Sequence, residues 1–291
     1  MRAHPDRIDK GLYWDRSLTL VAGCTPVSPA CENCWSATEA HMRAGHPHPE
    51  MRARGEGLTC KGRFNGNIRL MEQNLEVPGR VKTSKVWAVW NDLFHEDVPM
   101  DYQARAFDMM RQNKQHLFIM LTKRPERLFE FCVRCKMTLE TGMETWPKNI
   151  WPGITAENQE CFDKRWPYLH SIPAPYLMIS YEPALGPLEL PHSFLSLEDT
   201  GIVVCGGESG KGARPMHPDW ARSILAQCQK HGVHFFFKQW GEWTAEFPQG
   251  LNLANRAMTF EHGATFYRVG KKLAGRHLDG REWSGWPGKE A

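Results

Sequence analysis

The sequence predicts an α/β protein built on a full or partial parallel (β/α) barrel with a β-rich C-terminal extension. Short, wholly apolar runs recur along the chain, of the length and composition that suit strands buried on both faces. Segments of helical periodicity lie between them, and that alternation marks a parallel sheet with right-handed crossovers. The 291 residues exceed one average domain but lie within the range of a single α/β barrel.

The first strand is expected at Leu18–Ala22, running directly into Gly23-Cys24. Val86–Trp90, Leu117–Leu121, Trp151–Thr155, Tyr176–Ser180, Ile202–Cys205 and His234–Lys238 follow. Between them, Tyr102–Asn113 carries Ala106, Met109 and Met110 at turn spacing. Glu126–Met137 is announced by Pro125, whose missing N–H costs nothing in a first helical turn. Glu157–Leu169 is the next helix. Asp219–His231 sets Trp220, Ile224, Leu225 and Cys228 on one face, and Gly232 closes it. Residues 12–241 therefore read as the barrel, with an open doubly wound sheet as the competing arrangement. Residues 40–75 form an insertion after a cysteine loop at 24–34, and 242–291 form the β-rich extension, its turns marked by Gly270-Lys271-Lys272 and Asp279-Gly280.

Composition excludes several classes. Hydrophobic residues make up 41% and charged residues 24%, too apolar for a disordered chain. A net charge of +3 does not by itself announce nucleic-acid binding. No run approaches a membrane span, and Met1 to Lys10 is polar rather than an apolar leader. The nine cysteines are an odd number, so a reducing cytoplasm is expected, with thiols serving as ligands or core residues.

Polar residues cluster just after the strands: Asn91-Asp92, Thr122-Lys123-Arg124, Glu157-Asn158, Tyr181-Glu182-Pro183, Gly206-Gly207-Glu208 and Lys238-Gln239-Trp240. In parallel α/β folds the C-terminal ends of the strands carry the active site. The cysteine loop opens on the same end, and this convergence argues for an enzyme. Lys123, Glu182 and Lys238 are the catalytic candidates. Asn91, Asp92, Thr122, Lys123, Glu182 and Glu208 are the cofactor-binding candidates, because charge at a strand end is costly unless paired or used.

Cys24, Cys31 and Cys34 follow the pattern Cys-x6-Cys-x2-Cys, with Trp35 next. Three thiolates on so short a loop select zinc, copper(I) or an iron–sulfur cluster. Three protein ligands leave one iron of a four-iron cluster open. A structural zinc site needs a fourth ligand, and His41, His46, His48 or Cys60 are the available ones; unmetallated thiols are the third possibility. Cys132-x2-Cys135 offers a second close ligand pair, but inside an expected helix its spacing reads more as a helix face, and Cys161, Cys205 and Cys228 read as core thiols. A phosphate loop is excluded at Gly206–Gly212, since Cys205 and Gly212 occupy positions it needs for other residues. His95-Glu96 lacks the second histidine of a zincin, which Pro99 replaces. A zinc hydrolase with His95 or Glu182 as base is disfavoured because thiolate ligands weaken the Lewis acid. The basic residues Arg268, Lys271, Lys272, Arg276 and Arg281 lie among aromatics of the extension, where they read equally as a nucleic-acid contact or as a solvated cap.

Several segments carry a resemblance: Gly23–Trp35, Asn91–Pro99, Leu121–Arg127, Glu182–Pro187, Gly206–Gly210 and Phe236–Gly241. Together they resemble a phage-encoded three-Cys-motif family of unknown function, over most of the chain from about Trp14 to Trp286. That family is in turn similar to divergent radical S-adenosylmethionine (SAM) enzymes of the spore photoproduct lyase type. The likeness lies in the strand ending Thr122-Lys123 and in the strand order. The first cysteine gap is longer here than in typical radical SAM enzymes, and Trp35 follows the third cysteine where they place an aromatic before it. The resemblance implies a barrel of radical SAM type, a 4Fe-4S cluster on the three cysteines and SAM at its open iron. It also implies reductive cleavage of SAM to a 5′-deoxyadenosyl radical, an electron donor, and an isomerase- or lyase-type reaction. DNA modification in a host cytoplasm would follow, with a (hyper)modified thymine base, in DNA or as a nucleotide, as substrate. The alternative is a zinc-stabilised protein that binds nucleic acid or a partner without catalysis.

Overall fold

The computed structural model describes residues 1–136, 146–245, 257–260 and 263–288. Its centre is a seven-stranded, wholly parallel sheet whose spatial order is the chain order: β1 (Arg16–Thr19), β2 (Val86–Trp90), β3 (Leu117–Thr122), β4 (Ile150–Thr155), β5 (Leu177–Tyr181), β6 (Gly201–Gly206) and β7 (His234–Gln239). Sequential parallel order curls the sheet into a half-barrel, so the partial barrel is the form adopted rather than the full one or the doubly wound sheet.

Side chains alternate along each strand and both faces are buried. Val86, Ile119, Trp151, Met178, Val204 and Phe236 point to the concave face, whereas Trp87, Phe118, Ile154, Ile179, Val203 and Phe237 face the helices. This double burial makes each strand read as an uninterrupted apolar run. The helices are α1 (Trp35–Ala44), α2 (Met100–Gln112), α3 (Pro125–Arg134), α4 (Gln159–His170) and α5 (Pro218–His231). Met137, expected at the end of α3, lies outside the described residues. The fourth helix begins at Gln159 rather than Glu157, because the Asn158 side chain accepts the Cys161 amide as its N-cap.

The first strand departs from expectation. β1 ends at Thr19, and Val21–Gly23 pairs antiparallel with Ile68–Leu70. Leu20 is the pivot: it is fully buried, and its carbonyl accepts from the Tyr102 hydroxyl at 2.7 Å and the Met71 amide at 2.9 Å. A uniform apolar run does not record the point at which a chain leaves one sheet for another.

The insertion supplies this Ile68–Leu70 strand and a hairpin, Thr59–Cys60 with Arg63–Phe64, that packs on α1. The extension forms a three-stranded antiparallel sheet of Trp243–Thr244, Thr265–Arg268 and Ala257–Thr259; residues 246–256, 261–262 and 289–291 of it lie outside the described residues. Its end returns to the barrel. The Trp283 carbonyl accepts from Phe237 and the Gly285 amide donates to Phe235, along the open side of β7. The concave floor is filled from both ends of the chain. Ala3, Ile8 and Tyr13 meet Trp286, which is 2% exposed, stacks on Trp151 at 5.2 Å and donates its indole N–H to the Met1 carbonyl. Gly11 lies so close to β7 that a Cβ there would stand 2.4 Å from the Lys238 carbonyl oxygen. Among the described residues, no helix is long and apolar enough to cross a membrane.

Trp286→Ala should cost about 3–5 kcal/mol, the usual range for emptying a buried aromatic site. Urea unfolding monitored by circular dichroism checks this. A loss below about 1 kcal/mol would show that the C-terminal segment does not belong to the folded core.

A candidate site at the strand ends

The cysteine loop leaves the sheet through Gly23, whose φ is +89°. A Cβ there would lie 2.1 Å from the Asn67 carbonyl oxygen, so the close pairing with residues 67–68 admits only glycine. The loop contains one 3-10 turn, Pro29–Cys31, and ends with Cys34 at the N-cap of α1. Three sets of side chains fasten it.

The first centres on Arg124, which is 4% exposed. It donates to Asp92 at 3.2 Å, Glu96 at 2.6 Å and the Thr25 carbonyl at 3.0 Å, and its Nη1 lies 3.8 Å from the Cys24 sulfur. Asp92 also accepts from the Thr122 hydroxyl at 2.7 Å and from the Lys123 and Phe94 amides. His95 is buried beside them. Its Nδ1 accepts the Asp97 amide, so Nε2 carries the proton and donates to the Thr25 hydroxyl at 2.8 Å. In the second set, Glu157 accepts from the Ala30 amide at 3.3 Å and from Arg165 at 2.7 Å. In the third, Glu208 accepts from Asn33 at 3.0 Å and from Arg214, whose guanidinium also reaches the Pro29 carbonyl and Glu32.

The loop thus forms one wall of a cavity of about 210 Å³ over the strand C-terminal ends. Cys24, Cys31 and Cys34 line it, together with Asn91, Asp92, Thr122, Lys123, Glu182 and Lys238. Aromatic wall is supplied by Trp14, Trp35 and Trp90. Two ammonium groups enter by different routes. Lys238 pairs with Glu182 at 2.8 Å and sits 5.2 Å from the Trp14 ring centroid. The Lys123 ammonium has no hydrogen-bond or ion-pair partner among the described residues, and the residue is half-buried. Burial and then Asp92 push the Cys24 thiol up to about 11, against the pull of Arg124. Burial also raises Cys31, but Lys123 and hydrogen bonds from Val27 and Ser28 outweigh it and hold this thiol below its ordinary value.

Not every expected residue faces the cavity in the same way. Glu208 does not line it; it is a brace beneath the loop, engaged by Arg214 and Asn33. Asp92 and Thr122 reach the cavity but are bonded to each other and to the Arg124 side. Asn91, in a left-handed conformation at φ 58°, bridges the Val21 carbonyl and the Ser36 hydroxyl. Among the described residues, no three His, Cys, Asp or Glu side chains converge as a group able to hold a metal ion. The insertion's candidates do not join the cysteines: His41 meets Thr59 at 3.2 Å, His46 accepts the His48 amide, and Cys60 is exposed. Cys161, Cys205 and Cys228 are buried, as expected of core thiols, and Cys132 on its helix is buried too. In the extension, Arg268 donates to the Gly210 carbonyl, Arg276 pairs with Glu282, and Arg281 covers the Trp283 ring at 4.3 Å. Arg124 and Glu157 stand among the strand-end polar residues, yet nothing in the sequence singled them out. Tyr13 and Trp14, upstream of the first strand, carried no signal at all.

Burial alone would raise the Glu157 carboxyl, but Arg165 and a hydrogen bond from Ser28 bring it down to about 2. A depressed folded pKa gives stability that is complete above the ordinary carboxylate value of about 4.3 and is lost as pH falls toward 2. Glu157→Gln should remove that acid-sensitive component. At pH 7 the variant should be about 3–5 kcal/mol less stable, because Arg165 keeps its burial without a counter-charge. Unfolding curves at pH 7 and pH 3 test both parts. A variant that tracks the wild type at both pH values would refute the role.

A family model described as a protein of unknown function (DUF5131) matches residues 11–287. No curated protein and no solved structure matches the chain. The match spans the half-barrel, the cysteine loop and the returning C-terminal segment, and the chain therefore belongs to the DUF5131 family.

Proposed function

We propose that the protein is a radical SAM enzyme of isomerase or lyase type, acting on a (hyper)modified thymine base in DNA or on the corresponding nucleotide. One observation carries this reading: three thiols on one loop border the same cavity as the polar ends of five parallel strands. The donor set suits a cluster better than a lone ion. A single zinc needs four donors, whereas three cysteines border the cavity. Three thiolates suit a four-iron cluster whose remaining iron is open to a ligand. The arginine and lysine beside the loop also offset the charge of anionic ligands.

Cys24, Cys31 and Cys34 would hold the 4Fe-4S cluster. When bound with SAM, it supplies one-electron chemistry from an external electron donor. The remaining steps fall to the chain's own residues. Arg124 and Asp92 fix the loop at its first cysteine, Glu157 at its middle and Glu208 at its end. Lys123 offers an uncommitted cation for a carboxylate or phosphate. Lys238 and Glu182 offer a donor and an acceptor side by side for the polar edge of a ring. The indoles of Trp14, Trp35 and Trp90 give flat surfaces for a base and keep water from the cavity.

Anaerobic purification or reconstitution should give a brown protein with about four iron and four sulfide per chain. It should release 5′-deoxyadenosine from SAM under dithionite, and Cys31→Ala should abolish this. A colourless protein with stoichiometric zinc would overturn the reading in favour of the zinc-stabilised binding protein.

A further inference from the structure

A second cavity lies next to the first, and the cysteines do not line it. It measures about 340 Å³, within the range of small-molecule pockets. Ser36, Asn91, Phe64 and Trp90 border both cavities. The partition between them includes the 2.7 Å hydrogen bond from the Ser36 hydroxyl to Asn91.

The chemistry of this second cavity differs from that of the first. Its lining includes Ser17, Thr19, Gln73 and Asn74, a set of hydroxyl and amide groups. Arg43 and Arg54, the latter an exposed side chain, also belong to its lining. One carboxylate also lines it, Glu39, but that group is tied to Arg43 one helical turn away. The Glu39 charge is therefore already offset, and the Arg54 guanidinium has no hydrogen-bond or ion-pair partner among the described residues. The remaining charge in the lining is the exposed Arg54 guanidinium, alongside neutral donors and acceptors. A guanidinium with free N–H groups matches the oxygens of a phosphate, and hydroxyl and amide side chains match the hydroxyls of a sugar.

We propose that this cavity binds a phosphorylated sugar unit, with Arg54 as the phosphate ligand. The phosphate has two possible sources with the same chemistry, a free nucleotide or the backbone of a nucleic-acid strand. The inference does not depend on the radical reading, because it concerns binding alone and is tested without SAM or reductant.

The test is a titration of the full-length protein with thymidine monophosphate, with a short single-stranded oligothymidylate and with inorganic phosphate, followed by tryptophan fluorescence and calorimetry. Wild type should bind at least one of them. Arg54→Ala should weaken that binding roughly ten- to hundredfold, the loss expected for one charged hydrogen-bonding group. Arg63→Ala, which removes an exposed cation outside the cavity, should leave it within twofold. Far tighter binding of the oligonucleotide than of the monophosphate would support the site with a backbone as the source, and similar affinities would support it with a free nucleotide. The proposal is overturned if no probe binds, if Arg54→Ala binds like wild type, or if Arg63→Ala loses as much as Arg54→Ala.

Discussion

The buried pair of Arg124 and Asp92 is the constraint on which the arrangement at the strand ends depends. The two side chains are 5% and 8% exposed. Neither could be desolvated alone, since an unpaired buried charge costs several kcal/mol. They come from successive strand ends, β3 and β2, so their pairing ties these ends together. Arg124 then spends its remaining donors on the Thr25 carbonyl and Glu96, and Asp92 accepts from the turn after β3. A loop rich in proline and cysteine has little backbone pairing of its own, and its position is set by side chains that cannot tolerate being left unsatisfied. The same logic recurs at Glu157 with Arg165 and at Glu208 with Arg214, so the loop is fastened near its start, middle and end.

An open half-barrel leaves a gap between its edge strands and a concave face in need of filling. Here both needs are met by chain outside the strand–helix repeats. Tyr13 and Trp14 enter from the N-terminal side, and Trp286 enters from the C-terminal side. This also sets the far wall of the cavity, because Lys238 lies over the Tyr13 and Trp14 rings while pairing with Glu182. The packing that closes the barrel floor thereby fixes the charged pair opposite the cysteines. Folding and site geometry are consequences of the same aromatic contacts.

Much of this was legible in the sequence, for identifiable reasons. Six strands were found close to their places because burial on both faces writes an apolar run that polar turns interrupt. The convergence of Asn91, Asp92, Thr122, Lys123, Glu182 and Lys238 on the cysteine cavity followed from strand direction alone. What was not legible depends on partners distant in sequence. The break at Leu20 is set by Tyr102 and Met71. The role of Glu208 is set by Asn33, 175 residues away, so its position at a strand end suggested a ligand contact where the fold uses it as a brace. Tyr13 and Trp14 have meaning only once the gap beside β7 exists.

The case of Glu208 bears on how strand-end residues should be weighed in this fold. A carboxylate after a parallel strand has two ways to satisfy its charge: a ligand, or a cation supplied by the protein. For Glu208 the cation is Arg214, only six residues later, with the Arg214 backbone amide also donating at 2.8 Å. Asp92 and Glu157 likewise find arginines, Arg124 and Arg165. Glu182 finds Lys238, but this pair lies on the cavity surface, where a ligand can compete for both members. The Lys123 ammonium finds no partner among the described residues. The sorting criterion is therefore not position but residual charge after internal pairing, and by that criterion Lys123, Lys238 and Glu182 are the groups left to act on a bound molecule. The remaining acids hold the platform on which they act.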